Sequence, residues 1–208
     1  MAKRKIIPAL LDATDTGLMG KLSVVRPWRT PVHLDIVDGK FAEPRSATGT
    51  TLKNVPARST VHLMVKYPTT YFSWAKKTGF QTLIVHIEGN QVLPTCRRRP
   101  KGMKMYAAIK STTSTKQLAP WVQHIDGIHV MMGPIGSYGG VFQRQMVRRI
   151  TELHARYPKL PISCDVGLNP TTIPHVFSAG AEIAVVGSYI FGSKKPVDRW
   201  KKLQEILR

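Results

Sequence analysis

Eight short apolar runs, spaced through the chain and alternating with amphipathic stretches, predict an α/β chain folded as a (β/α)8 barrel with some shortened crossover helices. Strands buried on both faces read as continuous β-branched, apolar runs, and these do. Parallel neighbours need crossovers, and the runs are spaced to allow them. With 208 residues and 42% hydrophobic content the chain can bury a full core. No composition break or low-complexity linker divides it, so a single domain spanning residues 1–208 is expected. A flavodoxin-like open sheet is the alternative compatible with the same alternation.

In chain order, the strands are expected at residues 5–9, 32–36, 60–65, 82–87, 104–109, 127–132, 161–165 and 183–186, each ended by Gly, Pro or polar punctuation. Amphipathic periodicity places helices within 69–78, 114–122, 141–157, 171–179 and 197–207. The crossovers at 12–31, 41–59 and 89–102 are rich in Gly, Pro and charge, so their helices are expected to be short or absent. Asp12, just after the first strand, is either a helix cap or a polar group at the barrel mouth.

The charge balance is +19, from 31 Lys and Arg against 12 Asp and Glu. Such a field attracts anions: nucleic acid, an anionic membrane surface or a phosphorylated small molecule. A solvated basic surface without a dedicated partner is the simpler reading. No helix-turn-helix signature, zinc-finger spacing or aromatic interleaving points to a nucleic-acid module, and no apolar stretch is long enough to span a bilayer. The chain enters its first strand almost at once, leaving no room for a cleavable leader, so the cytoplasm is expected. Cys96 and Cys164 have no metal-binding spacing, and Cys164 reads as a reduced core thiol.

Chemistry concentrates in four residues at strand ends: His33 and Asp35 in PVHLDIVDG, His62 in TVHLMV, and Asp165 in PISCDVG. Side chains alternate along a strand, so His33 and Asp35 share a side. Two imidazoles and two carboxylates delivered by three strand ends suit one divalent metal. His86 and Glu88, at the fourth strand end, could orient those ligands, whereas His124, His154 and His175 fall on helices or turns and read as surface residues. Glycine-rich turns form a second constellation: Gly136-Ser137-Tyr138-Gly139-Gly140, Gly167 after Asp165, and Gly187-Ser188 at the eighth strand end. Barrel enzymes often hold phosphate around their last two strands, where backbone N–H groups can approach an anion.

HLDIVDGKF, HLMVKYP, IVHIEG, AAIKSTTS, HVMMGPIGSYGGVF and CDVGLNPTTIPHVFSAGAEIAVVGSYIF, in that order, resemble the ribulose-phosphate 3-epimerase family over nearly the whole chain. The resemblance implies a TIM barrel of the ribulose-phosphate-binding type holding one divalent metal ion, commonly zinc, iron, manganese or cobalt. By position His33, Asp35, His62 and Asp165 match the metal ligands, and Asp35 and Asp165 also match the acid/base pair. Gly139, Gly140, Gly167, Gly187 and Ser188 match phosphate contacts, and Met64 and Met132 match an apolar cap over the reacting centre. The implied substrate is a phosphorylated ketose, and family members often form homo-oligomers, although no interface can be identified from these residues.

The implied reaction moves a proton at C3 between D-ribulose 5-phosphate and D-xylulose 5-phosphate, a step of the pentose phosphate pathway. Inversion next to a ketone needs a proton taken from one face and another returned to the opposite face, which two opposed carboxylates can do. A six-carbon ketose phosphate is the nearest alternative substrate. A catalytically degenerate basic barrel that binds polyanions or assembles with partners is the alternative from another class. Ala9, Val37 and Val166 depart from the family pattern, standing where a serine, a cap methionine and a glycine are usual.

Overall fold

The computed structural model describes residues 4–88, 92–135 and 139–208. Eight strands form it: β1 (Lys5–Leu10), β2 (His33–Val37), β3 (Thr60–Met64), β4 (Thr82–His86), β5 (Lys104–Ile109), β6 (Gly127–Met131), β7 (Ile162–Asp165) and β8 (Ile183–Val186). Every strand pairs in parallel with its chain-order neighbours, and β8 pairs with β1. The sheet is a closed barrel, which excludes the open flavodoxin-like arrangement. All eight strands lie within a residue or so of their expected positions.

Strand parity divides the buried residues into two populations. Leu34, Ile36, Val61, Leu63, Leu83, Val85, Met105, Ala107, Val130, Met132 and Cys164 join one large apolar core together with helix residues such as Leu22, Ile150, Val176 and Leu203. That core therefore lies between sheet and helices, where hydrophobic burial stabilises the fold. The opposite parity points into the barrel. There Ile84, Tyr106 and Ala108, with Ile183 against them, make a small apolar layer, and Ile7, Ala9, Val37, Met64, Met131 and Val185 are buried without joining the outer core. Among them lies a polar set: His33, Asp35, His62, His86, His129, Ser163 and Asp165 are all buried. Barrel interiors are ordinarily filled by branched apolar side chains, so a polar filling marks where function has displaced packing.

The helices are α1 (Asp15–Val25), α2 (Phe72–Thr78), α3 (Val92–Arg97), α4 (Val147–Arg156), α5 (Ile173–Ser178), α6 (Ser188–Phe191) and α7 (Pro196–Glu205). Helix α1 corrects the expectation of a short or absent helix after β1. It runs for 11 residues, the side chain of Thr14 caps it by accepting from Gly17 N, and Leu18, Leu22 and Val25 are buried along one side. The glycines in its sequence hid that pattern. Gly17 meets a packing demand, since a Cβ there would lie 2.2 Å from the Asp12 carboxylate. Asp12 Oδ1 accepts from Thr14 N and Asp12 pairs with Lys21 at 3.0 Å, so it braces the start of α1.

Elsewhere the thin crossovers are as expected, with no helix between β2 and β3 among the described residues and six residues in α3. The helix expected within 114–122 is reduced to a 3-10 turn, Thr115–Leu118. The one expected from residue 141 starts at Val147, because Gln143 N still donates to Met132 O and keeps the preceding chain on the barrel rim.

Candidate active site at the carboxyl ends of the strands

The strands deliver the expected residues to one place. Asp35 and Asp165 both line a cleft at the barrel mouth. Ala9, Met64, Met131, Gly139, Gly140, Val166, Gly167, Gly187 and Ser188 share its wall. All five residues expected at a phosphate are thus beside the two carboxylates. Gly136, Ser137 and Tyr138 of the same glycine-rich turn lie outside the described residues. No Lys or Arg is among the described lining residues.

Beneath the mouth, hydrogen bonds fix the histidine tautomers. Glu88 Oε2 stands 3.0 Å from His86 Nδ1, and Glu88 Oε1 accepts from Lys110 N at 2.8 Å and from Thr113 Oγ1. Facing a carboxylate, His86 Nδ1 carries the proton, which leaves its Nε2 a lone pair. With both rings neutral, His62 Nε2, 3.0 Å from His86 Nε2, donates to that lone pair. His62 Nδ1 is then also a bare lone pair, yet it faces Asp35 Oδ1 at 2.9 Å. Two acceptors at that distance repel unless a cation or a proton lies between them. His33 Nε2 is 3.1 Å from the same Asp35 oxygen and 4.0 Å from Asp165 Oδ2, while its Nδ1 meets Thr60 Oγ1 at 3.0 Å. The donor set of two imidazoles and two carboxylates therefore fits a divalent cation.

The two carboxylates are driven apart in acidity. Burial, and then the charge of Asp35, push Asp165 up. Burial alone would raise Asp35 too, but His33 and His62 hold it below the usual carboxylate range. His33 gains protons against its burial because Asp35 and Asp165 face it, whereas burial pulls His62 down to about 4. Glu88, despite burial, is held down to about 2 by His86, Thr113 and the Lys110 amide. The two carboxyl groups on one cleft are thus pushed in opposite directions.

One expected position needs correction. Met131, opposite Asp165 in the sheet register, lines the cleft, whereas Met132 is fully buried in the outer core. The reason is parity: residues directly opposite in a parallel pair face the same side, so the residue after Met131 turns away. Met64 does line the cleft. Val37 is buried but is not among the described lining residues. His129 was missed from sequence. It is wholly buried, and one ligand atom from each of His33, His62, His129 and Asp165 lies within 4.8 Å of the others. Its signal was available, since counting back by twos from the inward Met131 reaches it. His154 and His175 are exposed and His124 half-buried, away from the site. Cys164 is a buried free thiol whose acidity is suppressed by burial. No helix among the described residues is long and apolar enough to cross a membrane.

Known proteins resemble this chain throughout. The model of the ribulose-phosphate 3 epimerase family matches residues 5–191. A ribulose-phosphate 3-epimerase of Oryza sativa subsp. japonica, named as a cytoplasmic isoform, is 30% identical over 94% of this chain and 90% of its own length. The ribulose-phosphate 3-epimerase of Aquifex aeolicus is 27% identical over 98% of this chain and 97% of its own. Among solved structures, a ligand complex of KGPDC from Streptococcus mutans superposes with a TM-score of 0.72 at 12% identity, covering 97% of this chain and 96% of that one. A 3-hexulose-6-phosphate synthase follows the same path with a TM-score of 0.67 at 15% identity, covering 98% of each chain. Likeness at that identity concerns the barrel alone.

Proposed function

The chain belongs to the ribulose-phosphate 3-epimerase family and is an enzyme of that isomerase class, and from this premise we propose that it interconverts D-ribulose 5-phosphate and D-xylulose 5-phosphate by two-base proton transfer at C3. The observation that carries the reading is the pair of carboxylates, Asp35 and Asp165, on one cleft beside a histidine cluster. Asp35 takes the C3 proton from one face of the sugar, Asp165 delivers a proton to the other, and the roles exchange in the reverse direction. His33, Asp35, His62 and Asp165 would hold a divalent metal, zinc, iron, manganese or cobalt. When bound it supplies Lewis-acid stabilisation of the negative charge that develops on the substrate oxygens.

The chain's own groups do the rest. Glu88 and His86 keep the proton of His62 on Nε2, so that Nδ1 stays available. Met64 and Met131 give the cleft an apolar lid over the enediolate that excludes water. Gly139, Gly140, Gly167, Gly187 and Ser188 receive the phosphate and set the distance from it to C3. The cytoplasm fits the name of the rice relative.

The test is deuterium wash-in at C3 of each pentulose phosphate, with a hexulose phosphate alongside, in the metal-loaded protein and in Asp165→Asn. The wild type should exchange the C3 proton. The variant should retain its fold and lose at least about 10²-fold in turnover. Near-normal exchange in the variant would remove Asp165 from the reaction, and absence of exchange in the loaded wild type would defeat the assignment.

A further inference from the structure

One buried group in the barrel has no part in that reaction. His129 projects inward from the middle of β6, its ring edge-on to His62 at 4.7 Å between centroids and stacked with His33 at 5.4 Å. Its Nδ1 lies 2.8 Å from Ser163 Oγ. The Ser163 hydroxyl donates to Ile128 O at 3.3 Å, so toward His129 it accepts. The Nδ1 of His129 therefore carries the proton and Nε2 is a bare lone pair. That Nε2 is buried with no hydrogen-bond partner among the described residues. A buried nitrogen with its tautomer fixed and nothing to accept from is unusual in a folded protein. It is ordinary for a metal ligand, whose other ring nitrogen donates to an outer partner.

The position agrees. One ligand atom from His129 falls within 4.8 Å of one each from His33, His62 and Asp165. Ligand atoms about 2.1 Å from a shared ion stand roughly 3 to 4 Å apart, so a small inward movement of these side chains completes the sphere. We infer that His129 Nε2 is a further ligand of the metal, so that three imidazoles rather than two surround it. The inference rests on the metal reading above and adds a property to it. A third neutral nitrogen, placed among the carboxylates, moves the preference from oxygen-seeking manganese or magnesium toward zinc and cobalt. Ser163 serves His129 as Glu88 and His86 serve His62, holding the ring with its lone pair inward.

The experiment loads metal-free protein with cobalt(II). X-ray absorption counts the imidazoles, and competition with a chelator gives affinity for cobalt and for manganese. The wild type should show three imidazoles and prefer cobalt. His129→Leu should show two, with cobalt affinity at least tenfold weaker and manganese affinity less affected. Ser163→Ala, a smaller change that leaves the ligand in place, should weaken cobalt binding by about 10- to 100-fold and decides the matter if His129→Leu does not fold. Two imidazoles in the wild type, or unchanged cobalt affinity in the folded variants, would overturn the role of His129 and leave the epimerase reading standing. A wild type that binds neither ion would overturn the metal reading and this one with it.

Discussion

Substituting alanine at Gly167 should separate two costs that usually come together. Gly167 has φ of +69°, and a Cβ there would lie 2.4 Å from Phe142 N and 2.8 Å from Phe142 Cα. Gly102 has φ of +85° with nothing within 4 Å of its Cβ position. At both sites the left-handed conformation costs alanine about 1–2 kcal/mol. Reduced freedom of the unfolded chain returns about 0.4–1 kcal/mol, so Gly102→Ala should lose only about 0.5–1 kcal/mol. At Gly167 the clash is with backbone, which cannot rotate aside, and overpacking adds about 1–3 kcal/mol. Gly167→Ala should therefore lose about 2–4 kcal/mol, read as a shift in urea midpoint at constant m-value. Because relief requires the chain at Phe142 to move, and Gly139 and Gly140 lie just before it on the cleft wall, KM for a phosphorylated substrate should rise as well. If the two variants differ by less than about 0.5 kcal/mol, Gly167 and Phe142 do not approach as described, and the argument that this contact builds the phosphate wall fails.

Glu88→Gln should lower stability most at neutral pH. The folded carboxyl is depressed from 4.5 to about 2, so its contribution is present above 4.5 and fades as pH falls toward 2. Such a depression is worth about 3 kcal/mol, reduced to about 2 kcal/mol by solvent screening, and urea midpoints at pH 7 and 3.5 should show the gap between wild type and variant narrowing; a gap independent of pH would contradict it. Trp28 and Trp200 stack at 4.9 Å with 5° between planes, tying α7 to the chain after α1. Trp200→Ala should cost about 3–5 kcal/mol in unfolding free energy while leaving kcat of the folded enzyme unchanged, because no α7 residue lines the cleft; a fall in kcat at a temperature where the variant is fully folded would contradict that.

The strands were legible because burial on both faces writes the same apolar run whatever fills the barrel. TLIVH and IAVV announce themselves by composition alone. Helices were read less well where a tertiary demand altered the sequence locally. In α1 it is Asp12 that requires a glycine at position 17, and a glycine inside a helix weakens the very periodicity by which helices are recognised. The reason lies close by in the chain but shows only in space, where Lys21 holds the Asp12 carboxylate against position 17.

The site was legible to the extent that parity was respected. Asp165 does end its strand, but His33 is the first residue of β2 and His62 the middle one of β3, so the expectation of four strand-end residues is corrected: the histidines lie deeper, beneath Asp35. The same alternation, carried through β6, would have turned Met132 outward and brought His129 in. What parity cannot supply is the orientation of a ring. That His62 presents Nδ1 to Asp35 depends on His86, which depends on Glu88, which is fixed by an amide and a hydroxyl from the chain after β5. That chain of dependence runs across β2, β3, β4 and β5, so it exists only when these four strands are paired in register. Strand pairing thus does more than bring ligands together: it sets which nitrogen of His62 is bare. A substitution such as Thr113→Val, outside the described cleft lining, can accordingly reach the chemistry through the relay, by loosening Glu88 and with it the tautomer of His62.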